Sequence, residues 1–184
     1  MVGSIKPLVS TTDEGGYKIK SPEALSKELL DIPEVINTFN TGYKDFRCVS
    51  FYSEEQIWTS ARIKDIKCFR ADGKLMETIS TRSGERPTDI AVTRAGDLVY
   101  CDFKLNNLNI MKDEKIEEII RIQGWSPKTL CVTSSGDFLV SIHNNDKTQC
   151  KVVRYSGSTE KQTIQFDDEG DPLYSGIDKI KYIT

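Results

Sequence analysis

The sequence predicts an all-β fold made of repeated four-stranded antiparallel units, and three observations carry that prediction. The first is the stretch from Arg86 to Ile120, RPTDIAVTRAGDLVYCDFKLNNLNIMKDEKIEEII, in which short apolar runs alternate with turn signals. The runs are Asp89-Ile90-Ala91-Val92-Thr93, Asp97-Leu98-Val99-Tyr100-Cys101, Leu108-Asn109-Ile110-Met111 and Ile116 to Ile120. Runs of this length, rich in Val, Ile and Tyr and bounded by Gly, Asn and Asp, are the sequence form of antiparallel hairpins. The second observation is repetition. Lys128 to Val140 reproduces the pattern, with Cys131-Val132-Thr133 in place of Ala91-Val92-Thr93 and Gly136-Asp137-Phe138 in place of Gly96-Asp97-Leu98. A weaker copy precedes it at Arg47-Cys48-Val49-Ser50 and Glu55-Gln56-Ile57-Trp58, and another begins at Lys179-Ile180-Lys181-Tyr182-Ile183-Thr184. The third is the period: Cys48, Ala91, Cys131 and Tyr182 are equivalent positions. A four-strand unit repeating every roughly 40 to 50 residues has the spacing of β-propeller blades.

Taken in order, residues 1–32 read as a linker. Met1 to Lys20 has no periodic apolar pattern, while Ser21 to Leu30 has the composition of one short helix, with Ser21 as N-cap and Pro22 at the first helical position. Residues 33–184 then read as an incomplete propeller. Residues 34–41 resemble the closing strands of the later units and are expected to be an outer strand without its first three partners. The blades are expected at about 46–80, 88–122 and 128–166, with the start of a further blade at 179–184. Orphan strands at both ends make this a partial β-propeller, read as a fragment or truncated product whose open blade edges favour self-association. Gly96 and Gly136 fill the same place in matched hairpins and are expected to take positive φ, which glycine adopts without a Cβ clash.

Composition narrows the class. The chain has 184 residues and 38% hydrophobic content, sufficient for a packed core. No stretch is long and apolar enough for a membrane span, and no N-terminal apolar run suits a signal peptide, so the expectation is a soluble cytoplasmic protein with no membrane partner. Cys48, Cys68, Cys101, Cys131 and Cys150 are odd in number and contain no C-x-x-C pair. That arrangement argues against a disulfide framework and against a zinc site. No metal or other cofactor is implied.

Motif and order together carry a resemblance. Asp89-Ile90-Ala91-Val92-Thr93-x-x-Gly96-Asp97-Leu98-Val99-Tyr100-x-Asp102, the phrase Gln123-Gly124-Trp125-x-Pro127, Lys151 to Gly157, Glu54 to Trp58 and Thr11 to Tyr17 are similar to the NHL-repeat propellers of tripartite-motif-like proteins of the mollusc type. The resemblance covers the chain from about residue 11 onward. It implies a parent architecture of RING finger, B-boxes, coiled coil, linker and six-bladed propeller, and so a ubiquitination-related setting. A RING needs closely spaced zinc ligands, and five scattered cysteines with one histidine cannot supply them. The chain is therefore expected not to be an enzyme. The propeller is implied to be the recognition end, for a protein or an RNA.

Charge on the loops selects a candidate face. The formal net charge is −3, which argues against a uniformly basic nucleic-acid binder. Sorted by the ends of the expected strands, one face collects Tyr43, Lys44, Arg82, Arg86, Phe103, Lys104, Trp125, Lys128 and Lys147, along with a minority of acidic groups such as Asp102 and Asp146. Cations interleaved with aromatic rings suit single-stranded RNA, the cations tracking phosphates and the rings stacking on bases. Charged loops on a soluble domain fit a protein partner at least as well, and that partner is the favoured reading, with RNA second. The alternatives are a non-functional truncated product and a metal-dependent propeller hydrolase of the lactonase kind, for which His143-Asn144-Asn145-Asp146 and Asn106-Asn107 offer the only ligand chemistry. His143 stands alone there and is expected in a polar hairpin loop.

Overall fold

The computed structural model describes residue 35 and residues 37–174, so the expected linker helix and the strand at 179–184 lie outside the described residues. Among the described residues twelve strands form three separate four-stranded antiparallel sheets, each a simple meander, and the fold is a partial β-propeller. The first sheet is β1 (Phe46–Ser53), β2 (Gln56–Ala61), β3 (Asp65–Phe69) and β4 (Leu75–Ser80). The second is β5 (Ile90–Val92), β6 (Leu98–Asp102), β7 (Asn107–Lys112) and β8 (Lys115–Arg121). The third is β9 (Trp125–Val132), β10 (Phe138–Asn144), β11 (Cys150–Ser156) and β12 (Thr159–Ile164). Among the described residues no helix is long and apolar enough to cross a membrane.

Alternation along the strands decides where the core sits, because successive side chains leave a strand on opposite faces. Trp58, Ile66, Cys68 and Ile79 of the first sheet meet Ile90, Leu98 and Tyr100 of the second. The residues between those, Ala91, Val99, Cys101 and Leu108, leave the opposite face and meet Leu130, Phe138, Val140, Ile142 and Val153 of the third. The middle sheet is thus apolar on both faces, and each fully buried Val, Leu or Ile stabilises by about 1.5–3 kcal/mol relative to exposure. Tyr100 is fully buried, and its hydroxyl accepts the Arg82 N–H at 3.0 Å.

The matched hairpins close by the same bonds. Gly96 N–H donates to the Thr93 carbonyl and Gly136 N–H to the Thr133 carbonyl, both at 3.0 Å. Thr93 Oγ1 and Thr133 Oγ1 accept the N–H groups of Asp97 and Asp137 at 3.1 and 3.0 Å. Gly96 has φ 92° and Gly136 φ 85°, the left-handed region that a side chain resists.

The outer strand expected at 34–41 does not form: of its described members, residue 35 and residues 37–41 carry no strand, and the irregular path continues to Tyr43. Its own side chains take the backbone donors that a ladder would need. Asn37 Oδ1 accepts the Thr38 N–H at 2.8 Å, Asn40 Oδ1 the Gly42 N–H at 2.7 Å, and Thr41 Oγ1 the Tyr43 N–H at 3.4 Å. Local bonds of this kind compete with sheet pairing. The segment instead lies on the face of the first sheet turned away from the second. Phe39 packs on Phe69 with ring centroids 5.3 Å apart, and Lys67 Nζ donates to the Thr41 carbonyl at 2.9 Å while lying 4.4 Å above the Tyr43 ring. Part of that face stays open, with Val49 58% and Phe51 45% exposed.

These turns yield a paired prediction. A Cβ added at Gly136 meets nothing within 4 Å, so Gly136→Ala should cost about 1 kcal/mol from backbone strain alone. At Gly96 the new Cβ meets the Tyr52 ring at 3.2 Å, so Gly96→Ala should cost more. Urea unfolding of both variants checks the order, and equal stability of wild type and Gly136→Ala would contradict the turn assignment.

Candidate functional site

The three inner strands β1, β5 and β9 begin at the same end, and side chains there tie them together. Cys48 Sγ lies 3.8 Å from the Thr88 carbonyl, and Thr88 Oγ1 donates to the Pro127 carbonyl at 3.1 Å. Asp89 makes the firmest link: Oδ1 accepts its neighbour Ile90 N–H at 2.9 Å, and Oδ2 accepts the Leu130 N–H of the third sheet at 2.8 Å. Above these links lies a cavity of about 640 Å³ lined by Arg47, Cys48, Arg86, Thr88, Asp89, Phe103, Ser126, Lys128, Thr129, His143, Asn145 and Lys147.

Two loops and a turn furnish its wall, each held by bonds that sequence dictates. Asp102, at the end of β6, is fully buried because it caps two loops at once. Its Oδ2 accepts the Ser83 N–H at 3.2 Å, and its Oδ1 accepts the Lys104 and Leu105 N–H groups at 3.1 and 3.2 Å. Thr81 Oγ1 donates to the Glu85 carbonyl at 2.5 Å, closing the loop that presents Arg86. The Arg86 guanidinium then lies 5.7 Å from the centre of the Phe103 ring, a cation–π distance. On the other side the β10–β11 turn holds Lys147 at φ 63°, uncommon for a residue with a side chain. That turn is fixed by Asn144 and Asp146: Asn144 Oδ1 accepts the Gln149 N–H at 2.9 Å, and Asp146 Oδ1 accepts the Thr148 N–H at 3.0 Å.

Among the described residues, four cationic side chains, Arg47, Arg86, Lys128 and Lys147, thus share one cavity with a single carboxylate, Asp89. Burial pushes the Asp89 carboxyl above its ordinary value, opposed by the Leu130 and Ile90 amides and by the Arg47 charge. Burial, reinforced by the Arg47 and Arg62 charges, pulls Arg86 down from its ordinary value. Like charges are therefore held close, an arrangement that an anion would relieve. Cys48 is pushed up to about 11, first by burial and then by Asp89, so it stays a thiol near neutral pH and is a poor nucleophile. Among the described residues no three His, Cys, Asp or Glu side chains come together as a metal-holding group.

Of the nine residues expected on the binding face, Arg86, Phe103, Lys128 and Lys147 line this cavity, while Tyr43, Lys44, Arg82, Lys104 and Trp125 do not. Tyr43 lies on the outer face of the first sheet, its hydroxyl 3.2 and 3.1 Å from the Thr59 and Asp65 carbonyls. Trp125 is the first residue of β9 and lies under Lys151 Nζ at 4.7 Å, beside a second cavity of about 420 Å³ between β8 and β11. Lys44, Arg82 and Lys104 are exposed elsewhere. His143 corrects an expectation: it belongs to β10, not to a hairpin loop, and it lines the cavity with Nδ1 2.9 Å from the Asn144 carbonyl. Arg47 and Asp89 went unselected from sequence, and His143 was singled out only for the hydrolase alternative. A signal for two of the lining pairs was present, since Thr88 matches Lys128 and Asp89 matches Thr129 in the repeat frame.

Three meandering sheets with a cavity at their inner-strand ends define a propeller-type protein. Among solved structures the chain is similar to a catalytically inactive virginiamycin B lyase from Staphylococcus aureus with quinupristin, at TM-score 0.50 and 16% identity, over 76% of this chain and 43% of that chain. A selenomethionine form of virginiamycin B lyase matches at TM-score 0.49 and 13% identity, over 72% of this chain and 43% of that chain. A Bacteroides caccae protein of unknown function matches at TM-score 0.44 and 14% identity, over 70% of this chain and 52% of that chain. The chain spans less than half the length of the lyase, and at these identities the likeness is one of fold. No family model matches the sequence, and no curated protein matches it significantly.

Asp89 gives the second prediction. Asp89→Ala leaves the Leu130 N–H without its acceptor beside a buried side chain and should cost about 1–3 kcal/mol, with Asp89→Asn costing less because its amide oxygen still accepts. The folded-state carboxyl titrates above its ordinary 3.8. Its contribution is therefore fully present below the unfolded value and lost as pH rises through the folded one. Denaturant titrations across the acid range should show wild type losing stability relative to Asp89→Asn as pH rises, and a flat difference would contradict the buried placement.

Proposed function

We propose that the chain is a recognition module whose cavity at the inner-strand ends takes an acidic segment of a protein partner, in the manner expected of the propeller in the NHL-repeat proteins that the sequence resembles. The observation that carries this reading is the convergence of Arg47, Arg86, Lys128 and Lys147 on one cavity where, among the described residues, the one carboxylate, Asp89, already accepts two backbone amides. Charge complementarity across such a surface sets partner choice and association rate.

Support for a protein over an RNA comes from the aromatic rings. A platform for splayed bases needs free ring faces next to the cations. Among the described residues Phe103 and His143 are the aromatic rings lining the cavity, and Phe103 sits against Arg86, while Tyr43 and Trp125 lie elsewhere beneath Lys67 and Lys151. The hydrolase reading draws on His143 in the cavity wall, but it lacks a cluster of ligands for a catalytic metal among the described residues.

A fluorescent hexaglutamate peptide provides the test. It should bind with an affinity that falls as salt rises, Arg86→Ala and Lys147→Ala should each weaken binding several-fold, and Lys104→Ala, outside the cavity, should leave it unchanged. Salt-independent binding, or equal loss in all three variants, would remove the cavity from the account.

A further inference from the structure

We propose that the cavity is built for a phosphoryl group, carried as phosphoserine or phosphothreonine in the partner's acidic segment. This inference rests on the cavity being the seat of that segment and goes on to name the group that fills it.

The argument is one of charge count and direction. Arg47 comes from β1, Arg86 from the loop before β5, Lys128 from β9 and Lys147 from the β10–β11 turn, so the four cations approach from four separate elements. A carboxylate is a planar monoanion, and one guanidinium fork can satisfy both its oxygens. A phosphate monoester carries a charge of about −1.5 to −2 near neutral pH and presents three acceptor oxygens in different directions. Even with Lys128 left aside, Arg47, Arg86 and Lys147 around one cavity match the second ligand and exceed the needs of the first. Arg86 is set in place before any ligand arrives, because it lies against the Phe103 ring, so it loses little side-chain freedom on binding; the backbone that carries Lys147 is likewise fixed in its left-handed turn. Asp89 lowers the positive potential, but both its oxygens are engaged by the Ile90 and Leu130 amides, and among the described lining residues Arg47, Arg86 and Lys147, leaving Lys128 aside, already outnumber it.

The experiment uses the full chain and three blocked peptides that differ at one residue, phosphoserine, glutamate or serine, in an otherwise acidic sequence, with inorganic phosphate as competitor and an oligouridylate as the nucleic-acid probe. The phosphoserine peptide should bind roughly tenfold or more tightly than the glutamate peptide, and inorganic phosphate should displace it. Arg86→Lys, which keeps the charge and removes the fork, should cut the preference for phosphoserine. Lys147→Ala, at an exposed turn position, should weaken phosphoserine binding while the melting temperature holds. Equal binding of the phosphoserine and glutamate peptides overturns the phosphoryl assignment and leaves the acidic-segment reading intact. Failure of every peptide to bind overturns both. Tighter binding of oligouridylate than of the phosphoserine peptide overturns the assignment in favour of nucleic acid.

Discussion

The carboxylate of Asp89 accepts the Ile90 amide through one oxygen and the Leu130 amide through the other, so the start of β5 is fixed to the inner strand of the neighbouring sheet. Leu130 heads for the buried side, where an amide without an acceptor would carry the full cost of desolvation. The same residue holds β5 to its own sheet, because the Asp89 carbonyl accepts the Cys101 N–H at 3.0 Å. One side chain and its backbone therefore set how the second and third sheets meet, and they also form the floor of the cavity.

Around that floor, the apolar core and the polar site depend on each other. Val99, Cys101 and Leu108 on one face of the second sheet and Leu98 and Tyr100 on the other give it two neighbours, which fixes where its loops emerge. Asp102 then gathers Ser83, Lys104 and Leu105 amides at the end of β6, placing the loops that carry Arg86 and Phe103. Cations can be held close only on a scaffold whose backbone is already determined, since their mutual repulsion works against the arrangement. Lys147 in its left-handed turn is a smaller instance of the same thing: a disfavoured backbone state kept by bonds from Asn144 and Asp146.

Much of the fold was legible because strand alternation and the Thr-x-x-Gly-Asp turn repeat in the sequence, and each copy forms its hairpin with the same bonds. The stretch at 34–41 misled because its apolar spacing resembles a strand, whereas its Asn and Thr side chains satisfy the backbone locally. Trp125 and His143 read as loop residues because the matched repeat runs only from Lys128 to Val140. The β9–β10 ladder passes a register shift between Ser141 and Ile142 and continues through Pro127, Ser126 and Trp125, which carries His143 into a strand. The site was half visible. Basic loop residues could be assigned to one face, but which of them share a cavity depends on how far each loop is pulled in by Asp102, Asn144 and Asp146, and that is set by tertiary contacts.

The tie between the inner strands is open to direct measurement through the Leu130 amide, whose N–H leaves the β9–β10 ladder and depends on Asp89 for its partner. Residue-resolved hydrogen exchange reports the opening of individual bonds. Joined sheets predict that the Leu130 amide exchanges as slowly as those of the buried Val140 and Val153, and that Asp89→Ala selectively speeds it. A Leu130 amide exchanging in wild type as fast as that of Ile164 in the exposed strand β12 would contradict the account at its foundation.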